Sequence, residues 1–333
     1  MNRQNKKIYS SLMNRIAIAM MLNQLVMAIL GGILVVVESI LKITLGEGTL
    51  YYMIDGLCEC AVYLLAFAIP MNIFNKMNKK SDREIYEPVE SEKMPSKFVI
   101  FAVGLTLGAT VIASYINFYA VNAIWDYSEF TTANLWSVEL NNPCQIIIYF
   151  AYSAIIPALA EEYFFRETIC KSLKVYGKGT AIIISATLFS LMHANIEQIL
   201  YAFVAGILLA WIYVETKNIA IPILVHFLNN GISALGDIIN AVSGSSARDM
   251  YFSLVDPIII IFAVISLVVL AVYAKKRGWL IEKLILKPDE NGEAVAPLSV
   301  KERVSGFFST GIVLYTAYAL FTMIGLIYLS LVM

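Results

Sequence analysis

Charge is scarce in this chain. Asp, Glu, Lys and Arg make up 15% of its 333 residues, 59% are hydrophobic, and the mean hydropathy is +0.73. An ordinary soluble domain carries about 25% charged and 45–50% apolar residues. A water-soluble globule is therefore excluded, and a polytopic membrane protein is expected. Neither sign of charge is in excess: the net charge of −1 gives no argument for a nucleic-acid partner, and none is expected. The four cysteines (Cys58, Cys60, Cys144, Cys170) lack the pattern of a disulfide framework or a zinc knuckle. Cys58 and Cys60 form a bare C-x-C within an apolar segment. No internal repeat or inverted-topology pair is evident. Histidine is rarest of all the chemically versatile residues, with two in the whole chain.

What is abundant is long apolar runs. Crossing about 30 Å of hydrocarbon takes around 20 apolar residues, and nine segments qualify: 16–41, 51–75, 98–123, 143–165, 179–194, 198–215, 219–239, 251–274 and 307–332. The fifth is short and its hairpin to the sixth is tight, so eight spans with a re-entrant piece fit as well. The basic start followed by the run 16–37 resembles a signal peptide, but that run is too long for a cleavable one and reads as a first span. The fold expected is thus all-α, a polytopic membrane helical bundle of about 8–9 transmembrane helices.

Polar linkers divide this bundle. SDREIYEPVESEKMPSK (81–97) separates the second and third spans, and a second linker begins at Lys275 and runs to about residue 306. Within it, WLIEKLILK (279–287) has the spacing of an interfacial helix. Three regions follow: N-terminal spans with their linker (1–142), a polar-bearing core (143–240), and C-terminal spans with the second linker (241–333). Lys and Arg accumulate in cytoplasmic loops. With the N-terminus inside and nine alternating spans, every one of the 24 basic residues falls on that side except Lys42, Arg248 and Arg166. The expected topology is N-in and C-out, in a multi-pass cell-membrane protein.

Against this background AEEYFFRETIC (160–170) is anomalous, because two carboxylates and a guanidinium stand where lipid should be. Each such charge costs about 2.5–3.5 kcal/mol on insertion scales. Glu162 and Arg166 are spaced i, i+4 and can neutralise each other on one helix face. Glu161 is left unexplained, since its own i+4 neighbour is Phe165. Both histidines, His193 and His226, also fall in predicted spans. Counting about 1.5 Å per helical residue from the nearest basic residue places Glu161 roughly 15 Å deep. The same count puts His193 roughly 22 Å, His226 roughly 13 Å and Asn230 roughly 19 Å deep. Three separate helices thus bring polar groups to one slab near mid-membrane. Asn229 and Asn230 are interhelical hydrogen-bond candidates, with Asn230 on the i, i+4 face of His226. Phe189 should pack beneath His193. Pro157, four residues before Glu161, frees the carbonyl of Ser153 and should kink its helix, whereas Pro222 suits a first turn.

EEYFFR (161–166), FSLMH (189–193) and HFLNN (226–230) match E-E-x-x-x-R, F-x-x-x-H and H-x-x-x-N. In that order on successive apolar helices, over roughly 143–240, the chain resembles the family of CAAX-processing and bacteriocin-immunity membrane proteases, called CPBP or Abi. The resemblance implies an intramembrane endopeptidase of glutamate type, without metal or cofactor, acting on peptide or protein substrates at the lipid bilayer. It implies Glu161 as general base, His193 as its helper in activating water, His226 and Asn230 as oxyanion donors, and Glu162 with Arg166 in support. Three alternatives stay open. Glu161, His193 and His226 form a His₂Glu set that could take zinc, with Glu162 as base, although the H-E-x-x-H signature is absent. A non-catalytic immunity factor or scaffold, or a transporter with a Glu/His proton relay, would also use intramembrane polar groups. The scissile sequence, any prenyl group on the substrate and the oligomeric state are not legible.

Overall fold

A computed structural model describes residues 2–81, 94–124, 140, 142–277 and 298–332. Among the described residues there is no strand. The helices, in chain order, are α1 (Asn2–Leu45), α2 (Thr49–Ser81), α3 (Ser96–Ile124), α4 (Pro143–Tyr176), α5 (Lys178–His193), α6 (Ile199–Thr216), α7 (Ala220–Ser243), α8 (Ser245–Arg277), α9 (Val300–Phe307) and α10 (Thr310–Val332). Most of the linker 81–97 and all of 279–287 lie outside the described residues.

Seven helices, α1, α2, α3, α4, α6, α8 and α10, are long and apolar enough to cross a membrane. The two remaining segments counted from sequence are α5 and α7. The first has 16 residues, a rise of about 24 Å, short of the roughly 30 Å hydrocarbon layer. The second has 24 residues but carries His226, Asn229, Asn230, Asp237 and Asn240, which dilute its hydropathy. The two predicted spans outside this group are the ones that carry the histidines.

Close helix contacts rest on small residues, as expected where lipid supplies no hydrophobic drive between helices. Gly104 and Gly108 of α3 form a G-x-x-x-G pair facing Phe262, Ala263 and Ser266 of α8. Gly206 of α6 lies so near α5 that an added Cβ would come within 3.0 Å of the Ala186 Cα. A buried cluster that includes Tyr9, Met13, Phe67, Phe164, Phe165, Ile169 and Phe189 joins α1, α2, α4 and α5.

Local chemistry shapes α4. Asn142 caps it through a reciprocal box, accepting from the Gln145 amide at 3.0 Å while Gln145 Oε1 accepts from the Asn142 amide at 3.1 Å. The helix widens into π-helical turns at Ala151–Ile155 and Tyr163–Cys170. Pro157 accounts for the first: its ring would clash with the Ser153 carbonyl, and it has no N–H for it. The widened turn moves that carbonyl away from the ring, which is the kind of local adjustment expected at an intrahelical proline.

The α5–α6 hairpin turns over within 194–198, and its polar backbone is held by protein. Membrane-depth turns are tolerated only where such partners exist. Asn117 Nδ2 of α3 donates to the carbonyls of Ile196 and Glu197 at 3.1 and 2.8 Å. Ser190 Oγ donates to the Ile199 carbonyl at 2.6 Å, and Gln24 Nε2 of α1 reaches the Met192 carbonyl at 3.4 Å. Ala194 adopts the left-handed conformation (φ 45°) that ends α5 directly after His193. At the base of the hairpin Lys178 pairs with buried Glu215 at 3.4 Å.

Candidate active site

Glu161, His193, His226 and Asn230 all line one cavity of about 50 Å³, bounded by α3, α4, α5, α6 and α7. That volume admits roughly three to five waters, each needing about 10–15 Å³. Glu161 is 4% exposed. Its Oε1 accepts a hydrogen bond from the Tyr63 hydroxyl of α2. Its Oε2 has no hydrogen-bond partner among the described residues and faces His226 Nε2 at 3.9 Å. One carboxylate oxygen is anchored, and the other is open to chemistry.

Glu162 and Arg166 sit beneath this pair, both fully buried. Arg166 Nε donates to Glu162 Oε2 at 2.8 Å and Nη2 to Oε1 at 3.4 Å, so the i, i+4 pairing is realised. Arg166 Nη1 donates to Ser185 Oγ of α5 at 3.0 Å, and the guanidinium lies over the Phe189 ring at 4.9 Å. Glu162 Oε1 also lies 3.0 Å from His226 Nδ1. The ion pair therefore does more than cancel itself, because it grips an imidazole from another helix.

His193 closes the cavity from the last turn of α5. Its Nδ1 lies 2.8 Å from the Phe189 carbonyl one turn back, and the two rings meet edge to face at 5.0 Å. Phe189 thus supports the histidine as its spacing suggested. It also touches the edge of the His226 ring at 5.8 Å.

Asn230 is oriented by a relay. Its Nδ2 donates to the Ser153 carbonyl at 3.3 Å, the group that Pro157 leaves free. A carbonyl only accepts, so Asn230 must turn Nδ2 toward Ser153 and Oδ1 toward its neighbour. Asn229 Nδ2 donates to that Oδ1 at 3.3 Å, and the Thr110 hydroxyl donates to Asn229 Oδ1 at 2.8 Å. The same hydroxyl lies 2.8 Å from the Leu107 carbonyl of its own helix. The asparagine oxygen, with no other donor in the relay, claims the hydrogen.

Three of these partners carry no signature in the sequence. Tyr63 is one of 19 tyrosines, and Thr110 and Ser185 sit on apolar helices like any small polar residue. Only the assembled bundle reveals them. The zinc set fares differently. Among the described residues the His/Cys/Asp/Glu donors that gather within 4.8 Å in a group of three belong to Glu38, Asp55 and Glu59, not to Glu161, His193 and His226. Zinc ligands about 2.0–2.2 Å from the ion lie some 4 Å or less from one another, so that set would have to contract to bind it.

Residues 143–232 match a family model described as type II CAAX prenyl endopeptidase, Rce1-like. The chain is 26% identical over 189 residues to the membrane-embedded CAAX protease MroQ of Staphylococcus aureus, a match covering 54% of this chain and 74% of that protein. It is 34% identical over 122 residues to the "Putative membrane peptidase YdiL" of Bacillus subtilis, covering 36% of this chain and 47% of that one. No solved structure matches.

Proposed function

We propose, from the Rce1-like domain that residues 143–232 carry, that this chain is an intramembrane endopeptidase cleaving membrane-associated or lipidated peptides. The observation that carries the reading is the convergence of Glu161, His193, His226 and Asn230 from three helices on one cavity. A water held there attacks the scissile carbonyl carbon and loses its proton to Glu161 Oε2, the oxygen Tyr63 leaves open. His193 accepts a hydrogen bond from the water's other O–H, which stays on the oxygen, and so aims the water's lone pair. The carbonyl oxygen becomes the oxyanion, received by His226 Nε2 and the second Asn230 N–H. When the C–N bond breaks, Glu161 returns its proton to the departing amine. Aimed donors in a water-poor site stabilise the oxyanion strongly because they need no reorganisation. The basic residues sort the chain as N-terminus cytoplasmic, which opens the site toward that side.

Comparing membrane peptide pools from cells carrying the wild-type chain or Glu161→Gln tests the reading and finds the substrate. Peptides that appear only with the wild type support a protease. Identical pools, with both chains equally inserted, would leave the scaffold reading standing.

With such a substrate, Asn230→Ala should lower turnover by about 10²–10³, the usual loss for one oxyanion donor, and activity should survive prolonged chelation. One tightly bound zinc per chain, whose removal and return switch activity off and on, would overturn the glutamate chemistry. Thr110→Val should cost less. It removes the outermost donor of the relay, a bond worth about 1 kcal/mol, or roughly fivefold in turnover. Thr110→Ser should restore the rate. Equal rates for wild type and Thr110→Val would mean that the relay does not position Asn230.

A further inference from the structure

The hydrogen bonds fix which nitrogen of each histidine carries a proton. Arg166 donates twice to Glu162, at 2.8 and 3.4 Å, so Glu162 is an ionised carboxylate and only accepts. The His226 Nδ1 that lies 3.0 Å from its Oε1 must therefore bear hydrogen. The same logic holds for His193, whose Nδ1 lies 2.8 Å from a backbone carbonyl. A neutral ring protonated at Nδ1 has a bare Nε2. For His193 that suits a site that must accept hydrogen from a water. For His226 it does not: a bare Nε2 would face the unpartnered Oε2 of Glu161 across 3.9 Å, lone pair against lone pair.

Charge counting points the same way. Glu161, Glu162 and Arg166 are 4%, 0% and 0% exposed, and together they leave one uncompensated negative charge in a low-dielectric interior. The other groups around the cavity, including His193, Tyr201, Thr110 and Asn229, bring no Lys or Arg. Tyr63, from α2, is a neutral donor. A single buried charge without a partner is costly.

We propose that His226 rests as an imidazolium between Glu161 and Glu162, while His193 rests neutral with its proton on Nδ1. Glu162 then acts as the counter-ion that orients the ring and turns its Nε2 from an acceptor into a donor. Resting on the peptidase reading above, this makes the Nε2–H of His226 a charged oxyanion donor, and Glu162 a positioning residue rather than a mere salt-bridge partner. Hydrogen bonds from charged donors are about twice as strong as neutral ones.

Because the chain has only two histidines, ¹⁵N-histidine labelling of the full chain in lipid nanodiscs yields two ring systems, assigned with His193→Gln. Nitrogen shifts and nitrogen–proton couplings at neutral pH report charge and tautomer directly. The expected spectrum has His226 protonated on both nitrogens and His193 on Nδ1 alone, with His226 returning to a neutral ring in Glu162→Gln. A neutral His226 in the wild-type chain overturns the proposal, whether or not Glu162→Gln folds. The measurement needs no substrate, so it is independent of the activity test. An imidazolium in a chain with unchanged peptide pools would sink the protease reading alone, and a neutral ring in an active enzyme would sink this inference alone.

Discussion

Glu161→Gln is expected to give a chain that folds, inserts and binds substrate but no longer cleaves. The amide has the size of the carboxylate. Its oxygen can still accept from Tyr63, so the side chain stays anchored. Its nitrogen would replace Oε2 on the side facing His226, where it can donate but can take no proton from water. General-base catalysis contributes typically 10²–10⁴-fold. Here the same group must also carry the proton to the leaving amine, so the loss should reach the upper end of that range or exceed it. The measurement is turnover of the peptides recovered from wild-type membranes, set beside substrate binding and the yield of inserted protein. Retained turnover would remove Glu161 from the chemistry and with it the glutamate mechanism.

The largest effect on stability should come from Arg166→Leu. Arg166 is the largest fully buried side chain among the described residues. It neutralises Glu162, bonds Ser185 of α5 and caps the Phe189 face. Leucine fills part of the space but strips Glu162 of its two guanidinium hydrogen bonds and leaves it only the contact with His226, whose charge Glu161 already shares. Breaking a buried pair from one side costs about 3–5 kcal/mol, a large share of the roughly 5–15 kcal/mol that holds a domain folded. Yield of inserted protein and the thermal midpoint in detergent should both fall sharply. Arg166→Leu combined with Glu162→Gln should recover part of the loss, because the stranded charge is gone and the residues are coupled. A single variant with wild-type yield and midpoint would show that the pair contributes nothing to the fold.

Much of this was legible in the sequence because membranes simplify the code. Apolar runs located the helices, although α1 starts at Asn2 and α4 ends at Tyr176, well beyond the runs 16–41 and 143–165, and the i, i+4 spacing of Glu162 and Arg166 dictated their pairing. Depth counting from basic residues brought Glu161, His193, His226 and Asn230 to one level, and their side chains do line one cavity. Pro157 announced a freed carbonyl, though not the asparagine that takes it. What stayed hidden was lateral: which faces of α2 and α3 turn inward depends on how the helices pack, and an apolar helix gives little periodicity to read. Tyr63 and Thr110 were invisible for that reason. Seven of the counted spans are long and apolar enough by themselves, and the other two are the short α5 and the polar α7.

The hydrogen bonds from Tyr63 and Thr110 have one more consequence, for transplantation. Both residues lie outside 143–232, on helices that the family match does not include. A chimera that exchanges only that segment with a relative would carry every motif residue yet arrive without the anchor on Glu161 and without the first donor of the asparagine relay. Such a graft should regain its rate only when the host's α2 and α3 present a hydroxyl at these two places. The heritable unit of this site is therefore larger than its motifs, and two of its parts are written in stretches of chain that otherwise look like generic lipid-facing helix.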